Sequence, residues 1–105
     1  MPLHIDPTER GFRLDGELDL ATAQDLVSAI RARPDGDGPL TLDFSGVGFM
    51  DSSGLRALLE AATGRDEGDV LVVLDPTPQV RRVLDISLPH PVPGLVVSGR
   101  GAAAT

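Results

Sequence analysis

Two adjacent hydroxyls stand between a carboxylate and a glycine in Asp51-Ser52-Ser53-Gly54, where a run of helically spaced apolar residues begins. A nucleophilic serine needs a base, most often histidine, within hydrogen-bonding reach. The chain has two histidines, His4 near the N-terminus and His90 within residues 88–93, and neither has a recognisable catalytic context. The box is not a G-x-S-x-G elbow either, so the sequence does not point to a hydrolase. Nor does it hold a Walker loop, and the glycine pairs in "GDGP" and "SGVG" are too short to cradle a nucleotide. What remains is a helix start, with Asp51 as N-cap and both serines in the first turn. Free backbone N–H groups and the positive helix end stabilise an anion there by about 0.3–1 kcal/mol, so such a serine can also carry a phosphoryl group. Asp51 opposes that group by like-charge repulsion. Cap and acceptor are compatible, and the physics of helix starts does not choose between Ser52 and Ser53.

Metal binding is the other chemistry to weigh. Asp15, Glu17 and Asp19 alternate along one stretch and share a face. Hard cations want six or more oxygens in a cage, and consecutive carboxylates on one solvated strand face are the commoner arrangement. No metal is expected.

The elements that must position the serines can be read from the changes of period. Residues 11–19 alternate strictly, with Phe12, Leu14, Gly16 and Leu18 on one side and Arg13, Asp15, Glu17 and Asp19 on the other, which predicts a half-buried strand. "PLHID" before it reads as a short partner strand. Ala23, Leu26, Val27 and Ile30 then fall at helical spacing, with Thr22 and Asp25 placed as a capping box, over residues 22–32. A cluster of breakers follows at 33–39, and "LTLDF" alternates again as a strand. Leu55, Leu58, Leu59 and Ala62 mark a second helix over 52–63, closed by Gly64. Residues 70–74, "VLVVL", read as a strand covered on both faces. Thr77-Pro78 opens a third helix over 78–86, with Val80, Val83 and Leu84 inward and Arg81 and Arg82 outward on a solvated face. "GLVVS" is a last strand.

The expected fold is thus one α/β domain over residues 1–98, of order β-β-α-β-α-β-α-β, with a flexible tail at 99–105. Its mixed sheet is mostly parallel, with right-handed crossovers and helices packed on it. Which face each helix covers stays open.

Composition narrows the partners. The chain has 105 residues, a net charge of −7 and no cysteine, which excludes a disulfide framework and thiolate chemistry. An acidic chain argues against nucleic acid or an anionic membrane surface and suits a basic protein partner. All nine basic residues are arginine, a bias that suggests a GC-rich, bacterial genome. No apolar run approaches membrane-spanning length and no signal segment is evident, so a cytoplasmic location is expected.

In order and spacing, "GELDLATAQDLVSAI", "LTLDFSGVGFMDSSGLRALLEA" and "DPTPQVRRVLDIS" resemble the STAS domain, and in particular the bacterial anti-sigma-factor antagonists. The resemblance covers residues 11–98, and its most specific part is the box at 51–54. It implies a non-enzymatic switch. When unphosphorylated, the domain binds an anti-sigma factor that is itself a serine kinase, and so frees the sigma factor. The kinase uses ATP to phosphorylate the first serine after the aspartate, here Ser52, and a separate serine phosphatase removes the phosphate. The domain needs no cofactor of its own. The same resemblance makes Asp19, Asp51, Ser53, Gly54 and Leu55 partner-binding residues. Arg56 stands at the edge of that surface, where many relatives carry a small residue. Phe49 and Met50 read either as core, the commoner fate of such residues, or as part of the partner patch. Other roles consistent with the resemblance are docking on a lipid-transport ABC ATPase and sensing of a small ligand.

Overall fold

A computed structural model describes residues 2–33, 38–88 and 91–99. Along them run β1 (His4–Pro7), β2 (Gly11–Leu18), α1 (Ala23–Ala32), β3 (Leu40–Met50), α2 (Ser52–Ala62), a single 3₁₀ turn over Glu67–Asp69, β4 (Leu71–Leu74), α3 (Pro78–Ser87) and β5 (Leu95–Ser98). This is the expected order. The tail expected at 99–105 lies, from residue 100 on, outside the described residues, as does His90.

The five strands form one sheet in the order β1-β2-β3-β4-β5. The β1–β2 hairpin is antiparallel, and β2 to β5 pair in parallel. Each crossover steps one strand in the same direction, and crossovers of constant hand then return every helix to one face. The core agrees with this. Phe12, Leu14, Leu42, Phe44, Leu71 and Val73 from alternate strand positions share one buried cluster with Leu26 and Ile30 of α1, Leu55 and Leu58 of α2, and Val80 and Leu84 of α3.

One expectation fails as a result. β4 is covered on its helix side, where Leu71 and Val73 are fully buried, while Val72 and Leu74 on the other face are half-buried and lie outside the core cluster. The continuous apolar run hid an asymmetry that the linear strand order imposes.

Three local readings are also corrected. The "SGVG" segment does not end a strand: β3 runs on through it, pairing with β2 as far as Leu18↔Met50 across two register shifts. Gly46 permits this, because a Cβ there would overlap the Asp15 carboxylate. Thr22 is the N-cap of α1 but makes no capping-box bond. Its hydroxyl turns back to donate to the Glu17 carbonyl at 2.8 Å. Arg81 is not a freely solvated residue: its side chain is largely covered and its Nε donates to Asp85 at 3.1 Å. At the end of α2, by contrast, Gly64 follows the C-cap Thr63 with φ +86°, the left-handed geometry that favours glycine there.

Candidate functional site

β2 and β3 end side by side at the carboxyl edge of the sheet, with Leu18 opposite Met50. The Asp51 amide donates to the Leu18 carbonyl at 3.3 Å, adding one more link before the chain turns into α2. The two segments that leave this edge, one starting at Asp19 and one at Asp51, therefore have fixed origins.

The Asp51 backbone is extended, with φ −110° and ψ −170°, as an N-cap requires. Its Oδ1 accepts from the Ser53 amide at 2.9 Å and the Gly54 amide at 3.1 Å. The carboxylate is thus turned onto its own helix start. Ser52 is the first residue of α2 and is exposed, whereas Ser53 is half-buried. Gly54 is buried against the strand ends, where a Cβ would stand 2.5 Å from the Leu18 carbonyl oxygen and 2.8 Å from the Met50 Cγ. Only glycine lets the first turn of α2 sit this close to β2 and β3.

Asp19 holds the neighbouring turn. Its Oδ1 accepts from the Ala21 amide at 3.0 Å and the Thr22 amide at 3.2 Å, and its own amide donates to the Thr22 hydroxyl at 3.0 Å. That hydrogen-bonded turn presents Leu20, which is 79% exposed. Nothing in the sequence pattern singled out Leu20; an apolar residue between a carboxylate and a helix start looks like ordinary core. Phe49 is opposite Glu17 in the register and is 39% exposed.

The residues proposed from sequence therefore divide by depth. Asp19, Phe49, Asp51, Ser52, Ser53 and Arg56 reach the surface in whole or in part, while Met50, Gly54 and Leu55 are buried beneath it. The buried three shape the rim without forming its outer surface. Arg56 is exposed one helical turn after Ser52, on the same side of α2.

Two further residues frame the box from the start of α3; the sequence marks Thr77 only as a helix opening and does not mark Gln79. The Thr77 hydroxyl donates to the Val47 carbonyl at 2.8 Å, and the Met50 amide donates to Gln79 Oε1 at 3.1 Å. Because Met50 N can only donate, the oxygen of the Gln79 amide must face it.

The carboxylates considered for a metal have other work. Asp15 faces Arg13 Nε at 3.4 Å, and Asp19 caps the turn before α1. Among the described residues no group of three His, Cys, Asp or Glu side chains is placed to hold a metal ion. None of their helices is long and apolar enough to cross a membrane. A hollow of about 740 Å³ lies at the opposite end of α2 from Ser52. It is lined largely by polar groups, among them the Arg31–Glu60 ion pair at 3.3 Å.

A family model described as "Mlab, STAS domain" matches residues 3–87. No curated protein sequence matches the chain. Among solved structures, the anti-sigma factor antagonist SpoIIAA in its unphosphorylated form is similar over 97% of this chain and 92% of its own, with 25% identity and a TM-score of 0.57. A candidate anti-sigma factor antagonist from Thermotoga maritima is similar over 97% of this chain and 91% of its own, with 17% identity and a TM-score of 0.64.

Proposed function

The chain belongs to the STAS domain family, and from that premise we propose that it is an anti-sigma-factor antagonist switched by phosphorylation of Ser52. In the unphosphorylated form it binds an anti-sigma factor that is also a serine kinase, and the sigma factor is released. The kinase ends the interaction by its own chemistry. The Ser52 hydroxyl oxygen bonds to the γ-phosphorus of ATP, the bond to the ADP oxygen breaks, and the hydroxyl proton passes to a base on the kinase. A serine phosphatase restores the free hydroxyl. The domain itself catalyses nothing in this scheme and works in the cytoplasm.

The observation that carries the reading is the placement of Ser52. It is exposed at the first position of α2, while Ser53 beside it is half-buried with its amide committed to Asp51. Exposure thus favours Ser52, where helix-start chemistry alone does not discriminate. The surroundings suit a protein partner. Leu20 and Phe49 offer apolar anchors beside the carboxylates of Asp19 and Asp51, a combination that a basic surface with an apolar pocket would match.

The test is incubation with the anti-sigma kinase and ATP, followed by peptide mapping. The wild type should gain one phosphoryl group, Ser52→Ala none, and Ser53→Ala should retain incorporation. Phosphate on Ser53, or none at all, would contradict the reading. In the second case, a stable complex with a lipid-transport ATPase would make the box a docking surface only.

A further inference from the structure

β4 accompanies β3 only from Leu40↔Leu71 to Asp43↔Leu74. Beyond that point β3 continues for seven more residues, Phe44 to Met50, with β2 on one side and, among the described residues, no strand on the other. Backbone groups pointing to the vacant side need partners. The start of α3 supplies two of them: Thr77 donates its hydroxyl to the Val47 carbonyl at 2.8 Å, and Gln79 accepts from the Met50 amide at 3.1 Å. Successive amides of an extended chain point to opposite sides. The next one, of Asp51, accordingly goes the other way, to the Leu18 carbonyl at 3.3 Å. The two residues before Ser52 are therefore pinned from both sides, by β2 and by α3.

We infer that Gln79, supported by Thr77, is a positioning residue for the acceptor serine: the start of α3 takes the place of the missing β4 links and sets where α2 presents Ser52. The inference rests on the reading of Ser52 as the phosphate acceptor. Phosphoryl transfer depends on aligned atoms about 3–3.5 Å apart, and a misplacement of about 1 Å can cost about 100-fold in rate. A single hydrogen bond to the residue two before the acceptor can therefore matter for rate while contributing little to the fold. Gln79 is itself exposed, so replacing it opens no cavity.

The experiment compares Gln79→Met, which keeps length but loses the acceptor, with Gln79→Glu, which keeps an acceptor oxygen. In native-state amide exchange, the Met50 amide of Gln79→Met should exchange about tenfold faster than in wild type. Gln79→Glu should stay close to wild type, and the Val73 amide in the core should be unchanged in both. With the anti-sigma kinase and ATP, Gln79→Met should lose about tenfold in kcat with KM within about twofold, and Gln79→Glu should recover most of the rate. A wild type that takes up no phosphate overturns the acceptor reading and this inference with it. If the wild type is phosphorylated and Gln79→Met matches its kcat, or if the Met50 amide is equally protected in both, the inference alone is overturned.

Discussion

The starts of α2 and α3 lie against the same stretch of β3, and each is led by a residue with good capping chemistry. They use it in opposite ways. Asp51 turns its carboxylate inward onto the Ser53 and Gly54 amides of its own helix. Thr77 makes no cap bond, and its hydroxyl reaches across to Val47. Thr22, at the start of α1, behaves like Thr77 and reaches back to Glu17. Two helices are thus tied to strands by their threonines, and the third caps itself and leaves Ser52 exposed at its first position. The difference separates structural anchoring from presentation: the anchored starts hold the rim rigid, and the self-capped start offers a hydroxyl.

Substitutions can break that contrast. The largest loss of stability should come from Gly54→Val, whose Cβ would press on the Leu18 carbonyl oxygen at 2.5 Å and on the Leu18 and Met50 side chains at 2.8 Å. It should cost about 2–3 kcal/mol in urea unfolding. A cost below about 0.5 kcal/mol would mean that α2 does not need its close seat.

Asp51→Ala and Thr77→Val should each cost about 1 kcal/mol, the first by removing a cap and the second by leaving the Val47 carbonyl without its side-chain donor. Their amide-exchange maps should differ. Asp51→Ala should release the Ser53 and Gly54 amides, and Thr77→Val should leave both protected. The same pattern in the two variants would erase the distinction between the two starts.

The smallest effect should be that of Arg56→Gln, because Arg56 is exposed. Stability of the unphosphorylated form should stay within about 0.5 kcal/mol. A phosphoryl group on Ser52 would lie one turn from Arg56, and a pair at that spacing contributes about 0.2–0.5 kcal/mol. The thermal-unfolding difference between the two forms should therefore become less favourable to the phosphorylated form in Arg56→Gln.

Much of this was legible in the chain because it is local. The alternation of residues 11–18, the helical stripes and the glycine after α2 are short-range patterns, and the described elements follow them. So is the Asp51 cap, whose partners lie two and three residues away. What escaped depends on contacts between distant segments. Thr77 and Val47 are 30 residues apart, and Gln79 and Met50 are 29 apart. No periodicity marks such pairs. The capping-box reading of Thr22 failed for a related reason: the Glu17 carbonyl, at the end of the preceding strand, took its hydroxyl. The one-sided cover of β4 follows from strand order, which no single segment encodes. The depth of Met50, Gly54 and Leu55 against the exposure of Leu20 is likewise set by how α2 seats on β2 and β3.

If phosphorylation of Ser52 is the switch, a charge there should act on binding and not on folding. Thermal unfolding and calorimetric titration with the anti-sigma kinase, for wild type, Ser52→Ala and Ser52→Asp, separate the two. A carboxylate at the helix start meets favourable backbone donors and an unfavourable Asp51, so the stability of Ser52→Asp should move by no more than about 1 kcal/mol. At the interface the same charge must lose its water against the partner, and affinity should fall about 100-fold, or about 2.7 kcal/mol. Ser52→Ala should stay folded and bind as the unphosphorylated wild type does. A Ser52→Asp protein that binds as tightly as wild type, or that fails to bind only because it has unfolded, would contradict the account.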